Sequence, residues 1–207
     1  MKIRLLCFAI ALNALLLAAA PAGAQNKFAL KTNLLHDATA SVNLAAEYAF
    51  APKMSIELSG SYNGWVVKDI RLQHMLVQPE LKFWFCERFN GAFLDVHALA
   101  GTATLGSFYD FSQHYRKFPN LQTFLLKDAL VLGFGGGIGY DWILSRHWNV
   151  EVELGLGYMF TKGDEYVLST AADGSHYLPD DAIPVLEGSI FDYLGPTKLA
   201  LSVVYLF

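Results

Sequence analysis

Residues 129–161, ALVLGFGGGIGYDWILSRHWNVEVELGLGYMFT, carry the pattern that decides the fold. In the second half Val150, Val152, Leu154, Leu156, Tyr158 and Phe160 fall on one face, and Glu151, Glu153, Gly155, Gly157 and Thr161 on the other. A period of two is that of a strand. The first half repeats it, with Leu130, Leu132, Phe134, Ile138, Tyr140 and Trp142 opposite Gly133, Gly135, Gly137, Gly139 and Asp141. The segment therefore reads as a hairpin with one apolar, aromatic-ended face and one small or charged face. A soluble sandwich would bury the apolar face using strands of about five or six residues, and arms of about twelve exceed that. Long strands with an apolar outside and a polar inside suit a transmembrane barrel.

The remaining composition narrows the choice. The chain has 207 residues, 54% hydrophobic and 16% charged. Beyond its N-terminus it has no apolar run of the roughly eighteen residues that a transmembrane helix needs. The N-terminus reads as an export signal over residues 1–24: Lys2 and Arg4, an apolar run over 5–20, then Ala22-Gly23-Ala24 as a small-residue cleavage site. A single barrel domain is expected over 25–207. Cys7 would leave with the signal, so Cys86 would have no disulfide partner. The net charge of −4 and the lack of a basic cluster argue against a nucleic-acid partner.

Alternation elsewhere supplies the other strands. A first runs from Lys27 to near Asp37, and a second over 42–50 stops at Ala51-Pro52-Lys53. A third follows from Met54 and a fourth covers 74–86, where Pro79 should break the ladder locally. A fifth covers 92–100, the hairpin gives the sixth and seventh, and residues 199–207 give the eighth. Alternation fails over 106–128 and 162–196, which read as long loops. Short links follow strands two, four and six, and the longer links lie mostly at the other end, so both termini are expected on the periplasmic side. The expectation is an all-β, eight-stranded antiparallel transmembrane β-barrel of outer-membrane type.

Several stretches resemble a known family: KTNLLHDAT at 31–39, SGSYNGW at 59–65, LVQPELKFWFCERFNG at 76–91, WILSRHWNVEVELGLGY at 142–158 and GPTKLALSVVYLF at 195–207. They are similar to the Gram-negative outer-membrane-barrel family catalogued as domain of unknown function thirty-five seventy-five. The resemblance covers most of the segment after residue 24 except the two long loops. It implies fold and localisation and transfers no catalytic residue.

On the inward face, alternation places Glu47, Glu57, Glu80, Asp95, Asp141, Glu151 and Glu153 with Lys31, Lys82, Lys198 and His97, which are expected to form a polar network filling a narrow lumen. Asp95 and His97, two apart on one face, fit an acid–base pair as well as a structural pair, and the structural reading is preferred. Ser59, Ser61 and Ser202 lie at ordinary strand positions with no nucleophile elbow. The glycine run at 133–139 lacks the third glycine of a dinucleotide fingerprint and reads as lumen-facing small residues. The six histidines show no metal-ligand spacing, and the acidic residues Asp164, Glu165, Asp173, Asp180 and Asp181 lack the spacing of a calcium loop. No cofactor, metal or catalytic residue is expected. The partners expected are outer-membrane lipid around the strands and a surface appendage or glycan at the loops. The functional expectation is a non-enzymatic barrel that tethers or recognises an extracellular partner through segments 106–128 and 162–196. The alternative is a small outer-membrane barrel enzyme acting on lipid.

Overall fold

The computed structural model describes residues 27–67, 70–106, 124–170 and 176–207. The chain runs through β1 (Phe28–Asn33), α1 (Leu34–Ala38), β2 (Val42–Ala51), β3 (Met54–Asn63), β4 (Val66–Val67), β5 (Ile70–Trp84), β6 (Gly91–Gly106), β7 (Phe124–Ile143), β8 (Trp148–Val167), β9 (Ser169–Thr170), β10 (His176–Tyr177) and β11 (Leu186–Leu206). Eight of these strands form an antiparallel ring in the order β3-β2-β1-β11-β8-β7-β6-β5, closed by β3 against β5, with β4 pairing the upper end of β5. The pair β9–β10 stands apart as a two-stranded ribbon.

The faces are those the alternation predicts. Leu130, Leu132, Phe134, Ile138, Tyr140 and Trp142 of β7 are exposed, as are Val152, Leu154 and Leu156 of β8, whereas Asp141, Glu151 and Glu153 are buried. An outward belt of large apolar side chains around a charged interior reverses the order of a water-soluble protein and matches a lipid-facing wall. Phe28, Tyr48, Phe50, Phe83, Tyr140, Trp142 and Trp148 gather on the outside near the short turns, where an aromatic girdle belongs. Inside that end, Trp84, Phe89 and Phe93 pack with Ala29, Ala49, Val204 and Leu206 into an apolar floor. The Trp84 indole N–H is satisfied there by the Ser55 hydroxyl at 2.8 Å.

The wall is uneven. β1 has 6 residues and β2 and β3 have 10 each, whereas β7 and β8 have 20 and β11 has 21. A spanning strand needs about nine to eleven residues, so β7, β8 and β11 extend well past a bilayer on the side away from the short turns.

Several sequence expectations on strand ends are corrected. The first strand stops at Asn33 and not at Asp37, because the Asn33 side chain accepts from the Leu35 N–H at 3.1 Å and caps α1. The fourth strand runs from Ile70 to Trp84. Pro79 interrupts pairing toward β6 between Val77↔Ala100 and Glu80↔His97 without shifting the register, and pairs normally with Leu58 on the other side. Residues 124–128 and 162–167 are strand, and β11 begins at Leu186, so the long loops are shorter than 106–128 and 162–196. The alternation fails there because the ladder is bulged: β7–β8 shifts between Lys127 and Leu130 beside Asp128 at φ 47, and β11 shifts between Leu186 and Ser189 and again between Pro196 and Lys198.

Candidate functional site

Every strand of the ring except β7 and β6 sends a charged side chain into one ionic cluster. Lys31 of β1 contacts Glu47 of β2, Glu57 of β3 at 2.9 Å and Glu151 of β8 at 2.8 Å. Lys82 of β5 lies 2.8 Å from Glu151, 3.1 Å from Glu57, 3.3 Å from Glu80, 3.4 Å from Glu153 and 3.7 Å from Glu47. Its ammonium also stands 4.3 Å above the Phe93 ring. Lys198 of β11 contacts Glu80, Glu153 at 2.9 Å and Glu57 at 3.6 Å. Lys31, Lys82, Glu47, Glu57, Glu80, Glu151 and Glu153 are all buried. Such ions are tolerable only when paired, and here each ammonium is shared by three or more carboxylates. The cluster lies against the aromatic floor, where the Lys82 ammonium meets Phe93.

Eight of the eleven residues predicted for the interior network are thus brought together. Asp141 is buried and in register with Glu151, but joins none of these ion pairs. Asp95 and His97 form a separate pair, with His97 Nδ1 2.6 Å from Asp95 Oδ1. A residue that the sequence reading passed over completes it: Thr197 Oγ1 lies 2.8 Å from His97 Nε2, across a hundred positions of chain. Thr197 is the extra residue of the bulge between Pro196 and Lys198, which turns it inward out of the alternation.

The glycines of β7 and β8 make room for this group. A Cβ on Gly137 would collide with Asp95 Oδ2, one on Gly155 with the His97 ring, and one on Gly135 would lie 2.7 Å from both His97 Nε2 and Thr197 Oγ1. Above the ionic cluster is a cavity of about 130 Å³ whose lining includes Lys31, Glu57 and Glu153 below and Asn33, His36 and Thr197 around the sides. Leu44 and Leu199 also line it. Leu199 is exposed on the outer surface, so the cavity reaches the wall where β1 has ended.

Glu80, Asp95, His97 and Glu153 can each bring one ligand atom within 4.8 Å of the others, a gathering invisible in their sequence spacing. Lys82 and Lys198 already sit against Glu80 and Glu153, and both His97 nitrogens have partners. Each residue of the grouping thus already has a partner, while the five glutamates of the ionic cluster outnumber its three lysines. Among the described residues the acidic loop residues form no comparable cluster, and Asp173 lies outside them. Asp164 Oδ1 instead accepts from the Gly188 N–H at 2.8 Å.

The family model described as "Protein of unknown function (DUF3575)" matches residues 8–207. No curated protein matches. Among solved structures, the NMR solution structure of the E. coli Outer Membrane Protein W is similar at 13% identity, covering 90% of this chain and 100% of that one, with a TM-score of 0.41.

Proposed function

The chain belongs to the family of proteins of unknown function DUF3575, and from that premise and the geometry we propose that it is a sealed outer-membrane barrel, with periplasmic termini, that holds an extracellular protein segment on the tall side of its wall. The lumen supports the first half of this reading, because buried, shared ion pairs and a buried aromatic floor occupy it. The second half rests on one observation. β11 pairs with β8 from Leu186 to Tyr205 but with β1 only from Ser202 to Leu206. Over 186–201 β1 thus offers β11 no ladder partner; Phe191 is engaged otherwise, and Asn33 takes two groups, its amide donating to the Leu199 carbonyl at 3.1 Å and its oxygen accepting from the Leu201 N–H at 3.2 Å.

An open edge is a template for another strand. Exposed Ile190, Tyr193 and Leu194 give such a strand apolar side chains to pack on. Main-chain pairing with alternate side-chain pockets is how extended peptides are bound at sheet edges. That chemistry favours a protein subunit of a surface appendage over a glycan. Binding of this kind needs no catalysis.

The test is photo-cross-linking in intact cells, with a benzophenone side chain placed at Ile190, Leu194 or Leu154. The proposal expects a discrete protein adduct at 190 and 194 and none at 154, which faces lipid. Adducts absent from 190 and 194 in a surface-exposed, folded protein would overturn it.

A further inference from the structure

We propose that Thr197, His97 and Asp95 form a nucleophile, base and orienting carboxylate that cleave an acyl ester presented from the membrane side of the wall. This goes beyond the docking role and against the expectation of no catalysis.

The geometry carries the proposal. Asp95 is a buried carboxylate, so the short contact to His97 Nδ1 fixes the proton on that nitrogen. In the neutral ring Nε2 then carries the lone pair, and the Thr197 hydroxyl lies 2.8 Å from it. A hydroxyl donating to an imidazole that is itself oriented by a carboxylate is the arrangement that activates a nucleophile. Three features indicate more than a satisfied polar group. Thr197 reaches His97 only because a bulge breaks the alternation of β11. Each of the three side chains is seated against a glycine, at 135, 137 and 155, on two different strands. A Cβ on Gly135 would lie 2.7 Å from both the hydroxyl oxygen and the ring nitrogen, so only a glycine there lets the two side chains meet.

Access also points to lipid. Thr197 lines the cavity above the plug, whose wall includes Leu44 of β2 and Leu199 of β11. These strands flank the place where β1 gives way to α1 after Asn33. Leu34 and Leu35 of α1 are exposed on the outside there. An acyl chain in the bilayer could lie along these leucines, with its carbonyl reaching into a cavity of about 130 Å³, which is too small for a whole lipid. In the reaction, Thr197 Oγ1 attacks the carbonyl carbon while its proton passes to His97 Nε2. The ester C–O bond breaks, and the alcohol leaves with that proton. Water, deprotonated in turn by His97, then releases the acid and restores the hydroxyl.

The experiment uses the full chain folded in phospholipid vesicles and treated with a long-chain alkyl fluorophosphonate, the adduct being located by peptide mass mapping. The proposal expects one phosphonyl group on Thr197. Labelling should be at least as fast in Thr197→Ser, and at least about a hundredfold slower in His97→Asn. Asp95→Asn, nearly isosteric, should slow labelling while leaving the heat-modifiable barrel intact. The proposal is overturned if folded wild type and folded Thr197→Ser both remain unlabelled. It is also overturned if the adduct lies elsewhere, or if labelling of Thr197 proceeds at the wild-type rate in the Asp95→Asn and His97→Asn proteins.

Discussion

Lys82→Met removes the cation on which the lumen depends most. Its ammonium is fully buried and lies within 4 Å of five carboxylates, Glu47, Glu57, Glu80, Glu151 and Glu153. Methionine has nearly the same reach and can still pack on Phe93, so the loss is mainly electrostatic. Deleting one partner of a buried pair costs about 3–5 kcal/mol. A second route to the magnitude bounds it from above. If the cluster relieves itself by binding one proton from water at pH 7, a glutamate of ordinary pKa near 4.3 charges about 3.7 kcal/mol for that proton. At pH 5 the same proton costs only about 1 kcal/mol. The mutant folded state holds an extra proton that the unfolded chain releases above pH 4.3, so its deficit grows as pH rises and shrinks as pH falls. Urea unfolding from lipid vesicles, followed by tryptophan fluorescence and by heat-modifiability on a gel, should therefore show a loss of about 3–4 kcal/mol at pH 7. The difference from wild type should narrow by about 2–3 kcal/mol at pH 5. A variant within about 1 kcal/mol of wild type at both pH values would refute the reasoning.

Neighbouring positions on β8 should respond oppositely. Leu154→Arg puts a charge into lipid and should cost roughly 2–4 kcal/mol near the midplane, whereas Glu153→Leu should act through Lys82 and Lys198 with no gain in lipid contact; comparative unfolding from vesicles measures both. Asn33→Ala removes the cap of α1 together with its two bonds to the β11 edge and should cost about 1–2 kcal/mol, with faster amide exchange at Leu201 as the local sign. Replacing residues 168–185 by a short Gly-Ser bridge should leave a barrel that inserts. Excising 164–192 should also leave one that inserts, since 148–163 and 193–206 each exceed a span, but it should unfold at lower urea because the paired rungs Leu186↔Glu165 and Asp192↔Phe160 are deleted; heat-modifiability in isolated membranes checks insertion and urea titration separates the two.

What could be read in the sequence was what repeats with period two. The faces of β2, β3, β6, β7 and β8 follow from alternation alone, and with them the inward placement of Lys31, Lys82, Lys198 and their carboxylates. Strand ends were hidden where bulges invert the alternation: Leu125 and Leu126 are both buried beside the Lys127 to Leu130 shift, so 124–128 looked irregular. The length of α1 was hidden for a different reason, since Leu34 and Leu35 continue an apolar pattern and only the Asn33 side chain marks the change. Asp95 and His97 could be paired because they are two apart on one strand. Thr197 could not, because its contact depends on the closure of the ring and on a bulge at Pro196. Pro196 itself is the signal that could have located that bulge.

The central claim is that the apolar face looks outward into lipid and the charged face inward. The most direct measurement replaces Cys7 and Cys86 by serine, introduces single cysteines at positions 150–156 of β8, labels them with a small fluorophore, and records quenching by brominated phospholipids in vesicles. Strong quenching at 152, 154 and 156 with weak quenching at 151, 153 and 155 is the predicted result. Uniform quenching, or an alternation of opposite sign, would contradict it.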